Sequence, residues 1–149
     1  MIIGAQLYTI CNCAQDEAGI RTSYQKLGEM GYHALHYSSI PMIGAEKLKK
    51  IADENGLYHV VSHIGIERLL HETEAVIEEH KIMGYSHIGT GGCGEKYRKD
   101  GLQGMKDFIR DLTPAVEKMK KAGMQFHYHN HYQEFERFSG VTPMDLILG

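Results

Sequence analysis

The chain has 149 residues, enough for one domain with a real core, and its 42% apolar and 23% charged residues match an ordinary soluble globular protein. A net charge of −3 is too acidic for a protein whose main work is gripping phosphate backbones, so no nucleic-acid partner is expected. No apolar stretch approaches the roughly 18 residues of a membrane span, and the first residues lack a basic segment followed by a long apolar one. The expectation is a cytoplasmic protein with no membrane partner.

In chain order, residues 2–8 make the first strand candidate. A helical stripe follows with Ile20, Tyr24 and Leu27 on one face, then Gly31 and a strand over 33–37. A second stripe, Ala45, Leu48, Ile51 and Ala52, leads through Gly56 to a strand over 57–63. A third, Leu69, Leu70, Val76, Ile77 and Met83, leads through Gly84 to a strand over 85–90. The glycine-rich stretch Thr90-Gly91-Gly92-Cys93-Gly94 matches neither a dinucleotide-binding nor a Walker phosphate loop and reads as a mobile loop. A fourth stripe, Leu102, Met105, Phe108, Ile109, Leu112, Val116 and Met119, leads through Gly123 to a strand over 124–131. Pro114 should kink or split that helix, with Thr113 capping the second piece. A further helix begins at residues 143–148. The four glycines fit the left-handed position just past a helix end.

Cys11, Cys13 and Cys93 are an odd number without an extracellular framework, and reduced thiols are the simple expectation. The C-x-C spacing also departs from that of structural zinc sites.

Regular strand–helix alternation predicts an α/β chain with a parallel sheet and right-handed crossovers. A doubly wound open sheet and part of an eight-stranded barrel both place ligands at the carboxyl ends of the strands. Polar residues gather at those ends: Gln6 and Tyr8, His36, His63, Thr90, then His129, His131 and Glu134. Successive strand ends sharing one mouth favour the barrel. His127, His129 and His131 alternate, so a continuous strand would put them on one face. A row of imidazoles is costly in a dry core, and it points to a wet polar pocket.

The residues that carry a family likeness run through nearly the whole chain. They are Gly4-Ala5-Gln6-Leu7-Tyr8-Thr9, Gly31-Tyr32-His33-Ala34-Leu35-His36-Tyr37-Ser38, Val61-Ser62-His63-Ile64-Gly65 and, most specific, Tyr128-His129-Asn130-His131-Tyr132-Gln133-Glu134-Phe135. The last resembles a Y-H-N-H-x-x-E-F motif of the sugar isomerase/epimerase family, whose members have a xylose isomerase-like TIM barrel. The resemblance implies a partial (β/α)8 barrel, about five parallel strands with four to five helices, forming a single domain over residues 1–149. That is about the first three-fifths of a barrel.

It further implies aldose–ketose isomerisation, or epimerisation next to a carbonyl, on a small sugar or sugar derivative, assisted by a divalent metal (Mn, Mg, Co or Zn). Glu134 is the candidate metal ligand by its place in the motif, with Glu136 as the alternative if a bulge swaps the two acids. His129 and His131 are the candidate catalytic residues, able to bind sugar hydroxyls, hold Glu134 or move protons. Gln6, Tyr8, His36 and His63 are candidate substrate-binding residues, with packing on the first helix as the other role for Tyr8. His127, His33, His59, His71, His80 and His87 are expected to be structural, packing or surface residues. Further metal ligands would come from strands absent here, so self-association or a missing C-terminal half is expected. Alternatives are a metal-dependent lyase or dehydratase on the same barrel, or a non-catalytic half-barrel binding module. An endonuclease IV type of nuclease shares the barrel, but the acidic balance argues against a DNA groove.

Overall fold

The computed structural model, which describes residues 1–149, lays five short strands side by side in chain order. They are β1 (Gly4–Gln6), β2 (Ala34–Tyr37), β3 (Tyr58–His63), β4 (His87–Thr90) and β5 (Gln125–Tyr128). Every neighbouring pair is parallel. A doubly wound sheet reverses its strand order at a switch point, and this sheet does not. The order is that of a barrel wall, so the fold is α/β and a partial TIM barrel.

The crossover helices are α1 (Glu17–Glu29), α2 (Ala45–Glu54), α3 (Ile66–His71), α4 (Thr73–Met83), α5 (Glu95–Arg98), α6 (Gly101–Lys121) and α7 (Pro143–Leu148). Their apolar stripes bury against one side of the sheet, in a single core that includes Ile20, Tyr24, Leu48, Ile51, Leu69, Val76, Phe108 and Met119. The Asp16 side chain caps α1 by accepting from Gly19 N–H at 2.7 Å. Thr142 and Asp145 form a reciprocal capping box at the start of α7. No helix is long and apolar enough to cross a membrane. Replacing Met119, which is fully buried, with Ala should cost about 2–5 kcal/mol in urea unfolding. A change within about 0.5 kcal/mol would show that the core does not close over it.

The elements differ from the sequence pattern in four places. The third stripe is two helices, because Glu72 (φ −128°, ψ 30°) breaks the turn and Thr73 Oγ1 donates to Leu69 O at 2.7 Å. With the short α5 there are seven helices rather than four or five. α6 runs unbroken through Pro114. The carbonyl that Pro114 deprives of a partner belongs to Arg110, an exposed residue on the outer side of the helix. Thr113 caps nothing; its hydroxyl donates back to Ile109 O at 2.6 Å. Finally, β1 and β5 are shorter than expected: a 3-10 helix takes over at Leu7–Cys13, and β5 ends at Tyr128.

One irregularity decides what the sheet presents. Leu35 pairs with His59, but His36 pairs with Val61, so β3 carries an extra residue. Strict alternation from His59 would turn Ser62 away from the helices. With the bulge, His59 bonds Tyr24 of α1 (3.0 Å) and Ser62 bonds His80 of α4 (2.7 Å), both on the helix side. His63 is thereby sent to the concave side beside His36.

Candidate functional site

At the carboxyl ends of the strands lies an open cleft of about 840 Å³. One wall is Gln6, Tyr8, Ser39, His63, His129 and His131; the other is formed by residues 64–68 and 90–97. Five sequence-predicted residues, Gln6, Tyr8, His63, His129 and His131, thus meet at one opening. Tyr8 is exposed there rather than packed under α1, with its amide held by Ser38 Oγ at 3.1 Å. His36 stands one residue deeper, its ring 4.2 Å from that of His63.

The imidazoles form a continuous row. Ring centroids are 4.2 Å apart from His36 to His63, 4.9 Å from His63 to His129 and 4.8 Å from His129 to His131. Burial, then the neighbouring imidazoles His36, His129 and His131, push His63 down to about 4. Burial and His129 lower His36 in the same way. Both are therefore neutral at pH 7, each with one N–H donor and one lone pair. His36 Nε2 is buried without a hydrogen-bond partner. His129 and His131 both lie beyond the end of β5, so of the three only His127 sits on the strand itself. His127 pairs with His87 on the same concave sheet face, Nε2 to Nδ1 at 2.6 Å.

The opposite wall carries mixed charge. Arg68 is committed to Glu72 and Glu79, each at 2.9 Å. Lys96 sits 4.9 Å above the Tyr97 ring. Glu67 pairs with His71 at 3.4 Å. The amides of residues 91–94, which line the cleft, donate to no backbone carbonyl. Ser39 at the rim holds a left-handed backbone (φ 57°).

Glu134 stands apart from this mouth. It is buried, and its carboxylate accepts from Tyr128 Oη at 2.8 Å and from His131 N–H at 2.6 Å. With Glu136 it borders a second, smaller cavity of about 120 Å³ behind the cleft, beside Cys93 and Tyr97. No three His, Cys, Asp or Glu side chains converge on a point that would hold a metal ion. The donors on this chain therefore do not by themselves fit a resident divalent cation. The three cysteines are free thiols, with Cys93 buried. His59 and His80 are packing residues, both buried and hydrogen-bonded. Arg68 and Lys96 were not singled out from the sequence, because nothing in their spacing distinguishes them from surface residues, and Cys93 and Tyr128 were noted there without a site role.

No protein-family model matches the chain, and no curated protein does. A solved structure is similar: an AP endonuclease, family 2, from Brucella melitensis, with a TM-score of 0.61 and 11% sequence identity. The likeness covers 86% of this chain and 55% of that one, so the chain spans little more than half the length of that protein. At that identity the likeness speaks for the fold alone, which is a partial TIM barrel.

Proposed function

We propose that this chain forms the amino-terminal wall of a sugar isomerase or epimerase, acting next to the carbonyl of a small polyhydroxylated substrate. The observation that carries the proposal is the row His36, His63, His129 and His131 at the mouth of a parallel barrel wall. Imidazole nitrogens donate and accept hydrogen bonds, which suits the hydroxyls on successive sugar carbons. His129 and His131, both exposed to the cleft, are placed to bind those hydroxyls and to move a proton on or off a substrate oxygen. Gln6 and Tyr8 flank the same opening and would orient the substrate.

A divalent cation would polarise the carbonyl in such chemistry, and its ligands would have to come largely from outside these five strands. The nuclease activity in the name of the similar structure is the less favoured alternative. The cleft's two basic side chains are offset by nearby carboxylates rather than arrayed as a phosphate track.

Ligand-observed saturation-transfer NMR against a panel of aldoses, ketoses and their phosphates tests the proposal. At least one should bind, and His63→Ala and His129→Ala should each weaken binding at least tenfold. Binding by none of them, or binding indifferent to both substitutions, would overturn it.

A further inference from the structure

We infer that Glu134 is a positioning residue, the centre of a buried strut that ties the loop after β5 to the loop after β4 and so sets the width of the cleft. Its carboxylate is 4% exposed, and no lysine or arginine forms an ion pair with it. A carboxylate in such a place must be satisfied by hydrogen bonds, and the two donors it has come from the cleft's own framework. One is the hydroxyl of Tyr128, the last residue of β5; the other is the amide of His131, whose ring ends the imidazole row. Glu134 lies three residues beyond His131, so the carboxylate closes the turn that carries His131 to the mouth.

The strut continues across the gap. Cys93 borders the same small cavity as Glu134, and its thiol donates to Gly94 O at 3.6 Å. Cys93 is buried in the middle of the glycine-rich loop that forms the facing wall. Tyr128, Glu134 and the His131 amide therefore run as one chain of hydrogen bonds behind the cleft, and Cys93 shares the smaller cavity with the carboxylate at its centre. Both carboxylate oxygens are engaged there. This departs from the metal-ligand role that its motif suggested. The proposed sugar site supplies the reason the strut would matter, but the strut can be tested without any sugar.

Two readouts on the intact chain decide it: hydrogen exchange at the His131 amide, and alkylation of Cys93 by iodoacetamide, with Cys11 and Cys13 as internal references. In Glu134→Gln the charge is lost and one oxygen becomes an amide nitrogen that cannot accept, so both bonds of the strut weaken. His131 exchange and Cys93 alkylation should each rise at least tenfold, with Cys13 unchanged. Tyr128→Phe removes one oxygen and leaves the bond to His131. It should accelerate Cys93 alone, with His131 exchange within twofold of the parent. Equal acceleration of both probes in both variants, accompanied by the amides of β2 and β3, would mean general loosening and would overturn the strut. So would no change in either variant. If Glu134→Gln fails to fold, the selectivity of Tyr128→Phe decides. Titration with Mn²⁺ and Zn²⁺ should be the same in parent and Glu134→Gln; metal uptake lost in the variant would make Glu134 a ligand instead. Failure of every sugar to bind would leave these readouts untouched.

Discussion

Acidification from pH 7 to pH 5 is expected to remove roughly 2 kcal/mol of folding stability through His59 alone. His59 is 4% exposed, and burial first, then His80, lower it to about 4. Its neutral ring bonds the Tyr24 hydroxyl between α1 and β3. Unfolded, the same imidazole titrates near 6.5. Above that value both states are neutral, and the contribution is fully present. Between about 6.5 and 4 the unfolded chain takes up a proton that the folded one refuses, so stability falls with pH. His80, fully buried between Ser62 and the Val76 carbonyl, is lowered in the same direction and steepens the fall. Exposed carboxylates held low by their partners, such as Glu17 and Asp111, lose their contribution only in more acidic solution. Urea unfolding at pH 7, 6 and 5 measures the effect, and His59→Gln should flatten it by about the His59 share. Equal parent stability at pH 7 and pH 5 would contradict the burial of these rings.

Gly104→Ala should cost about 3 kcal/mol, the upper part of the usual range for overpacking. Gly104 lies in the first turn of α6 where the short α5 crosses it, and an added methyl group would overlap the Tyr97 carbonyl oxygen. That oxygen is backbone and cannot swing aside as a side-chain tip would. α5 must therefore move, taking Tyr97 out of its hydrogen bond to Asp111 (3.0 Å) and out of both cavity walls. For a chain of this size the melting temperature should drop by roughly 10 °C in a calorimetric or circular-dichroism melt. A drop under about 2 °C would mean that α5 is only loosely seated.

Much of the fold was legible because it is written in local periodicity. The apolar stripes ending at Gly31, Gly56, Gly84 and Gly123 are helices or helix pairs, and each of those glycines takes positive φ where the chain turns back into a strand. The parallel sheet follows from that alternation. What periodicity could not show is where tertiary contacts override it. Nothing in Arg68-Leu69-Leu70-His71-Glu72-Thr73 announces the break at Glu72. Pro114 looked like a stop, yet the helix runs through it at a turn whose Arg110 is exposed. The bulge in β3 is invisible without the pairing partner, although it decides that His63 rather than Ser62 enters the cleft. For the site, the sequence located the shared mouth, because strand ends in a parallel sheet converge by topology. It did not reveal that Glu134 turns inward to Tyr128. That orientation depends on the 3-10 turn Gln133–Phe135 and on a backbone donor, neither of which has a residue-type signature.

The histidine row has a consequence for what the protein attracts as its surroundings change. Burial and the neighbouring rings hold His63 down to about 4 and lower His36, so this inner pair is uncharged in neutral medium and becomes cationic only in acidic solution. While neutral, the pair favours uncharged polyols. Once charged, its preference would drift toward acids and phosphate esters of the same carbon skeleton.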